Sequence, residues 1–198
     1  MKTLKASSPK GRTGFPLKVG LALAGVLLLP PVCHAAERWI GLEVGTSDVH
    51  RSDSKSVDAR RFNLSGRLSL ARWASSRWAL LPFGEVTAGA IRTWGAGNGQ
   101  NLRINEGGAR LVFQLRYRPG RRLFLEAGSG PMVFSDKGIG DLNLGGKLQF
   151  RSYIGLGVRL GAQRRWQLSY RYSHTSNANI SPPNPGINFL SGYLSYSF

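Results

Sequence analysis

Carboxylates are scarce in this chain: ten face 27 lysines and arginines, a formal net charge of +17 over 198 residues. That imbalance points to an anionic partner, nucleic acid or phosphorylated lipid. A single cysteine, Cys33, excludes a disulfide framework. Three histidines, His34, His50 and His174, are too few for a histidine-rich metal site, so no metal is expected. Long apolar runs are also missing. The one at 19–29 has eleven residues, too short to span a bilayer as a helix, and helical periodicity is rare elsewhere.

What is present begins with a leader. Lys2, Lys5, Lys10, Arg12 and Lys18 precede the apolar run, and Cys33-His34-Ala35 offers a cleavage point, so residues 1–35 are predicted to be a secretory signal peptide. The alternatives are a lipoprotein anchor on Cys33, disfavoured by Pro31 and Val32, and a buried first helix of a cytosolic domain. Cleavage removes five basic residues and no acidic one, leaving +12 on a single domain at 36–198 without cysteine. Export favours a lipid partner, and no nucleic acid is expected.

The remaining chain alternates with a period of two, in stretches of about ten residues. Ile40, Leu42 and Val44 oppose Trp39, Gly41 and Glu43. Phe62, Leu64 and Leu68 oppose Asn63, Ser65 and Arg67. Residues 78–93 are apolar on both parities and their facing is open. Alternation resumes at 110–117, although Val112 interrupts the polar set, and continues through 123–135, 150–160, 166–176 and 190–198. Eight strands are predicted. Short turns at 118–121 and 161–165 alternate with longer polar ones at 46–56, 94–101, 136–142 and 177–187, the rhythm of an up-and-down membrane barrel. The charged set would fill the lumen and the apolar set face lipid. Phe198 ends an alternating strand and resembles the terminal signal of outer-membrane barrels. A secreted sandwich with its apolar face inward is the competing architecture.

One polar group breaks the apolar parity. His174 and Ser176 continue the face of Trp166, Leu168, Tyr170 and Tyr172, about 6.6 Å apart along a strand. Counting back from Phe198 by twos reaches Asn188 on the neighbouring strand, on the same face. With a periplasmic N-terminus, His174, Ser176 and Asn188 would meet at the outer end of the barrel, against lipid. Polar groups facing lipid are costly and usually functional. A serine nucleophile needs an adjacent base, and the base a group that fixes its tautomer, a task an amide can perform. The plain alternative is a wet interfacial rim. His50, beside Arg51 and Asp53, reads as a solvated loop residue.

The run His174-Thr175-Ser176-Asn177-Ala178-Asn179-Ile180, followed by Pro183-Asn184-Pro185-Gly186-Ile187-Asn188, resembles the PagL-type lipid A 3-O-deacylases of Gram-negative outer membranes. The likeness is sharpest over 166–198. It implies an integral eight-stranded outer-membrane β-barrel, a cofactor-free serine esterase that removes the 3-O-linked acyl chain of lipid A within lipopolysaccharide. Ser176 would be the nucleophile, His174 the base and Asn188 the third member. Asn184 and the backbone amides of Asn177, Ala178 and Asn179 would face the oxyanion. Two positions depart from the family pattern: Asn188 replaces a glutamate, and Asn179 stands where glycine is common. A homodimer is compatible with this reading. The competing function is a non-enzymatic barrel that binds lipopolysaccharide or serves as a surface scaffold.

Overall fold

The computed structural model describes residues 37–48, 58–93, 103–117, 122–140 and 142–198. The expected signal peptide with Cys33, and His50, lie outside them. Period-two alternation yields strands throughout: β1 (Arg38–Asp48), β2 (Asp58–Ser69), β3 (Trp73–Ala74), β4 (Trp78–Thr93), β5 (Arg103–Tyr117), β6 (Leu123–Phe134), β7 (Gly138–Ile139), β8 (Leu142–Asn143), β9 (Leu148–Leu160), β10 (Trp166–Ser176) and β11 (Ile187–Ser197).

Eight of these close into an antiparallel ring in the order β2-β1-β11-β10-β9-β6-β5-β4, with β4 returning to β2. Closure leaves no sheet edge unpaired in lipid. β3 lies on β4, and β7 pairs with β8 as a separate hairpin. Trp39 opposite Ser197 brings the two terminal strands together at one end, which an even strand count requires. No helix among the described residues is long and apolar enough to cross a membrane; the crossing elements are strands.

The outward face is an apolar belt. Ile40, Val44, Phe62, Leu64, Leu111, Phe113, Leu125, Ile154, Leu156, Leu168 and Leu194 are all exposed. A soluble sandwich would have buried them. Trp78 against Tyr117 and Trp166 against Tyr196, with ring centroids 4.9 and 4.8 Å apart, place aromatic pairs toward the terminal end, as interfacial girdles do.

The lumen is packed in three tiers. Toward the terminal end Trp39, Ala79, Leu81, Phe83, Val112 and Tyr153 form an apolar cluster. Inward apolar residues here explain why 78–93 shows no clear facing in sequence, and why Val112 stands among polar neighbours. The middle is ionic. Glu126 accepts from Arg171 Nε (2.7 Å), Arg67 Nη1 (3.1 Å) and Ser169 Oγ (2.8 Å). Glu43 pairs with Arg61, Glu85 with Arg67 and Arg110, and Glu106 with Arg151. Arg171 also stacks on Tyr193, its Cζ 3.4 Å from the ring centroid. Gly41 makes room for that ring, since a methyl group there would overlap the Tyr193 hydroxyl.

At the other end Ala59, Ile91, Ile104, Met132, Phe134, Ile187 and Phe189 pack with Ile139 and Leu144 of the β7–β8 segment. The segment at 136–142, polar in sequence, thus contributes an apolar lid over the barrel. Below the terminal end, burial opposes ionisation of Glu37, but two hydrogen bonds from Arg116 (2.8 and 2.7 Å) hold its carboxyl below the ordinary range.

Candidate active site

β10 and β11 position the site. Their ladder pairs His174 with Asn188 and Thr175 with Ile187. Because facing residues in an antiparallel pair point the same way, His174 and Asn188 both project outward. Ser176, two residues on, shares that face and is half-buried. The parity count from the C-terminus therefore places Asn188 where the ladder has it. Nδ1 of His174 lies 2.7 Å from Oδ1 of Asn188. An oxygen at that distance calls for a proton on Nδ1, which leaves the Nε2 lone pair available.

Thr175, between His174 and Ser176, faces the lumen and is fully buried; its Oγ1 accepts from Arg151 Nε at 2.9 Å. Arg151 is in turn paired with Glu106. The ionic lumen thus fixes the backbone from which His174 and Ser176 project. Ser176 Oγ makes no hydrogen bond among the described residues. The shared face expected from the spacing is present; a serine–histidine bond is not formed.

The segment after Ser176 is built by asparagines. Asn177 is buried, and its Nδ2 donates to the carbonyls of Leu144 (3.0 Å), Ser181 and Pro183 (3.4 Å), tying the turn to the hairpin lid. Asn177 N–H donates to Asn184 Oδ1 at 3.0 Å, so it is not free for a ligand. Asn184 Nδ2 donates to Asn179 Oδ1 at 2.8 Å and keeps a second proton. Ala178 and Asn179 both have positive φ, 53° and 61°. The turn therefore survives asparagine at 179, a residue that tolerates the left-handed region. Successive amides in such turns form concave anion sites. Among the expected oxyanion donors, Ala178 N–H, Asn179 N–H and the second Asn184 proton remain, and Asn177 instead anchors the turn.

Two further features were not among the candidate site residues. Gly186, with φ of 66°, lies against the imidazole edge of His174. Below the site, an outward groove is lined by Leu156, Val158, Leu168, Tyr170, Gly192 and Leu123. Tyr170 pairs with Gly192 across the ladder, two outward steps below His174 and Asn188, and the space in front of Gly192 is open. A glycine among outward leucines was the available hint. The described residues contain no group of three or more histidine, cysteine, aspartate or glutamate side chains that could hold a metal.

A closed barrel with an apolar exterior, a filled lumen and a polar cluster at one rim defines an integral outer-membrane protein whose candidate site faces outward. The chain belongs to the Lipid A 3-O-deacylase (PagL) family, whose model matches residues 61–197. It is 36% identical over 110 residues to the lipid A deacylase PagL of Bordetella bronchiseptica, a match covering 56% of this chain and 60% of that protein. To the lipid A deacylase PagL of Pseudomonas aeruginosa it is 41% identical over 64 residues, covering 32% of this chain and 36% of that one. The chain thus spans less than two thirds of the curated relatives it matches. The crystal structure of the outer membrane enzyme PagL superposes with a TM-score of 0.62 at 24% identity, over 80% of this chain and 98% of that one. The shared fold is the eight-stranded barrel.

Proposed function

We propose that this chain is a serine esterase that hydrolyses the 3-O-linked acyl ester of lipid A in the outer leaflet. The observation that carries the reading is the 2.7 Å contact of His174 Nδ1 with Asn188 Oδ1 on the face that also holds Ser176. Membership of the deacylase family and the names of its relatives support it.

Asn188 Oδ1 accepts the Nδ1 proton and holds the ring so that Nε2 can take the Ser176 proton. Oγ then attacks the ester carbonyl, and the developing oxyanion receives hydrogen bonds from Ala178 N–H, Asn179 N–H and Asn184 Nδ2. His174 returns the proton to the departing sugar hydroxyl. Water, deprotonated by His174 in the second half, cleaves the acyl-serine and releases the fatty acid. The sequence requires no cofactor. The apolar groove beneath the site suits the acyl chain. All three residues come from one chain, and a homodimer is compatible with the scheme.

The test is mass spectrometry of lipid A from cells carrying the wild-type chain, Ser176→Ala or His174→Asn. Wild type should remove one 3-O-linked acyl chain. Each variant should lose activity by roughly 10³-fold or more, as members of a catalytic unit do, while retaining the heat-modifiable gel mobility of a folded barrel. Unchanged lipid A in the presence of folded wild type would instead favour a barrel that only binds lipopolysaccharide.

A further inference from the structure

Across the barrel from His174 lies an unassigned row of cations. Arg60 on β2 pairs with Arg92 on β4, and Arg92 with Arg103 on β5. All three are exposed, lie near the loop-bearing outer ends of their strands and share the outward parity of Phe62 and Leu64. Neighbouring strands are about 4.8 Å apart, so three guanidinium stems stand side by side within about 10 Å. Like charges directly opposed across a ladder are destabilising. Asp58 stands one outward step above Arg60 and exposed, but neither Arg92 nor Arg103 has an ion-pair partner among the described residues. In the ring β4 is four strands from β10 in either direction. The row is therefore on the opposite face from the esterase site.

The surface beneath the row is shaped for chains. Below Asn105, which faces Ala90, outward positions on β4 and β5 are small: Ala90 and Ala88 on one strand, Gly107 and Ala109 on the other, with Ala88 directly opposite Gly107. Phe62 and Leu64 border them on β2, and Val133 on β6. A cationic row above a shallow apolar trough, at the outer leaflet, is complementary to a lipid whose headgroup carries phosphate and whose tails run toward the bilayer centre. Guanidinium is the side chain best suited to bidentate contact with phosphate.

We propose that Arg60, Arg92 and Arg103 form a second, non-catalytic site for a phosphorylated saccharolipid, its phosphates on the arginines and its acyl chains over Ala88, Ala90, Gly107 and Ala109. The site rests on the outer-leaflet placement in the proposed function, but not on the esterase chemistry.

The experiment counts bis-phosphorylated lipid A on the detergent-solubilised Ser176→Ala protein by native mass spectrometry. Two bound lipids per chain are expected. Changing Arg60, Arg92 and Arg103 together to glutamine should weaken the second binding event at least about tenfold, the loss expected for charge-assisted hydrogen bonds. The Arg92→Gln, Arg103→Gln pair should show part of that loss. Lipid A stripped of phosphate should bind parent and triple variant alike. Equal binding of the phosphorylated lipid by parent and triple variant, or an equal loss with the phosphate-free lipid, overturns the proposal. So does a lipid-free dimer formed through this face. With Ser176 restored, the triple variant should keep the parent's turnover in detergent. A wild-type chain that deacylates nothing would end the esterase reading while leaving the lipid count as the test of the arginine row.

Discussion

Gly186 lies against His174 where no side chain fits: a methyl group on it would fall 2.6 Å from Cε1 and 3.2 Å from Nε2 of the ring. The histidine is thus held by Asn188 at Nδ1 and by bare backbone along its Cε1–Nε2 edge. Gly186→Ala should displace the imidazole and strain a backbone whose φ is 66°. A displacement of about 1 Å in a catalytic group can cost on the order of 10²-fold in rate. The expected result is a loss of that size in turnover, measured on purified barrel whose heat-modifiable mobility is unchanged. Turnover equal to wild type would show that the ring has freedom this packing denies it.

Asn188 should act by orienting the ring. Asn188→Ala removes the 2.7 Å contact and should lower turnover, though less than Ser176→Ala, because the base is misaligned and not removed. Asn188→Glu should retain or raise turnover. A carboxylate aligns the ring and also favours its protonated form, so the acid limb of the pH–rate profile should move to higher pH. An Asn188→Ala variant with unchanged rate and profile would remove Asn188 from the site.

The parts of this arrangement that were readable in the sequence follow from one fact, that a strand repeats every two residues. That period gave the outward face of β10, and counting it back from Phe198 found Asn188 beside His174. It failed where both parities are apolar. In β4, Leu81 and Phe83 point into the lumen cluster while Leu80 and Val86 point to lipid, and hydrophobicity cannot tell the two environments apart. The turn at 177–186 was beyond it as well. Asn177 reads as one polar residue after a serine, yet its burial depends on carbonyls supplied by Leu144 and Ser181. Gly186 has no side chain to register at all.

Glu126 is the sharpest test of the lumen. It accepts from Arg171, Arg67 and Ser169, so Glu126→Leu would strip a carboxylate from two buried guanidiniums. Breaking a buried pair by removing one partner costs about 3–5 kcal/mol. Urea titration followed by the folded-to-unfolded gel shift should show a fall of that order relative to wild type, with the loss carried by a lower midpoint. A midpoint unchanged from wild type would mean the remaining carboxylates, Glu43 and Glu85, satisfy both arginines unaided.

The filled lumen has a kinetic consequence. Among the described residues Trp39, the ionic tier and the Ile139–Leu144 lid fill the lumen, so under the proposed function a lipid substrate would reach Ser176 sideways, by diffusion within the leaflet. The encounter is two-dimensional. Its rate follows the number of substrate molecules per unit of membrane area, and adding inert lipid at a fixed bulk concentration of substrate should slow the reaction as surely as removing substrate would. For such a barrel the bilayer is the solvent in which concentration is defined.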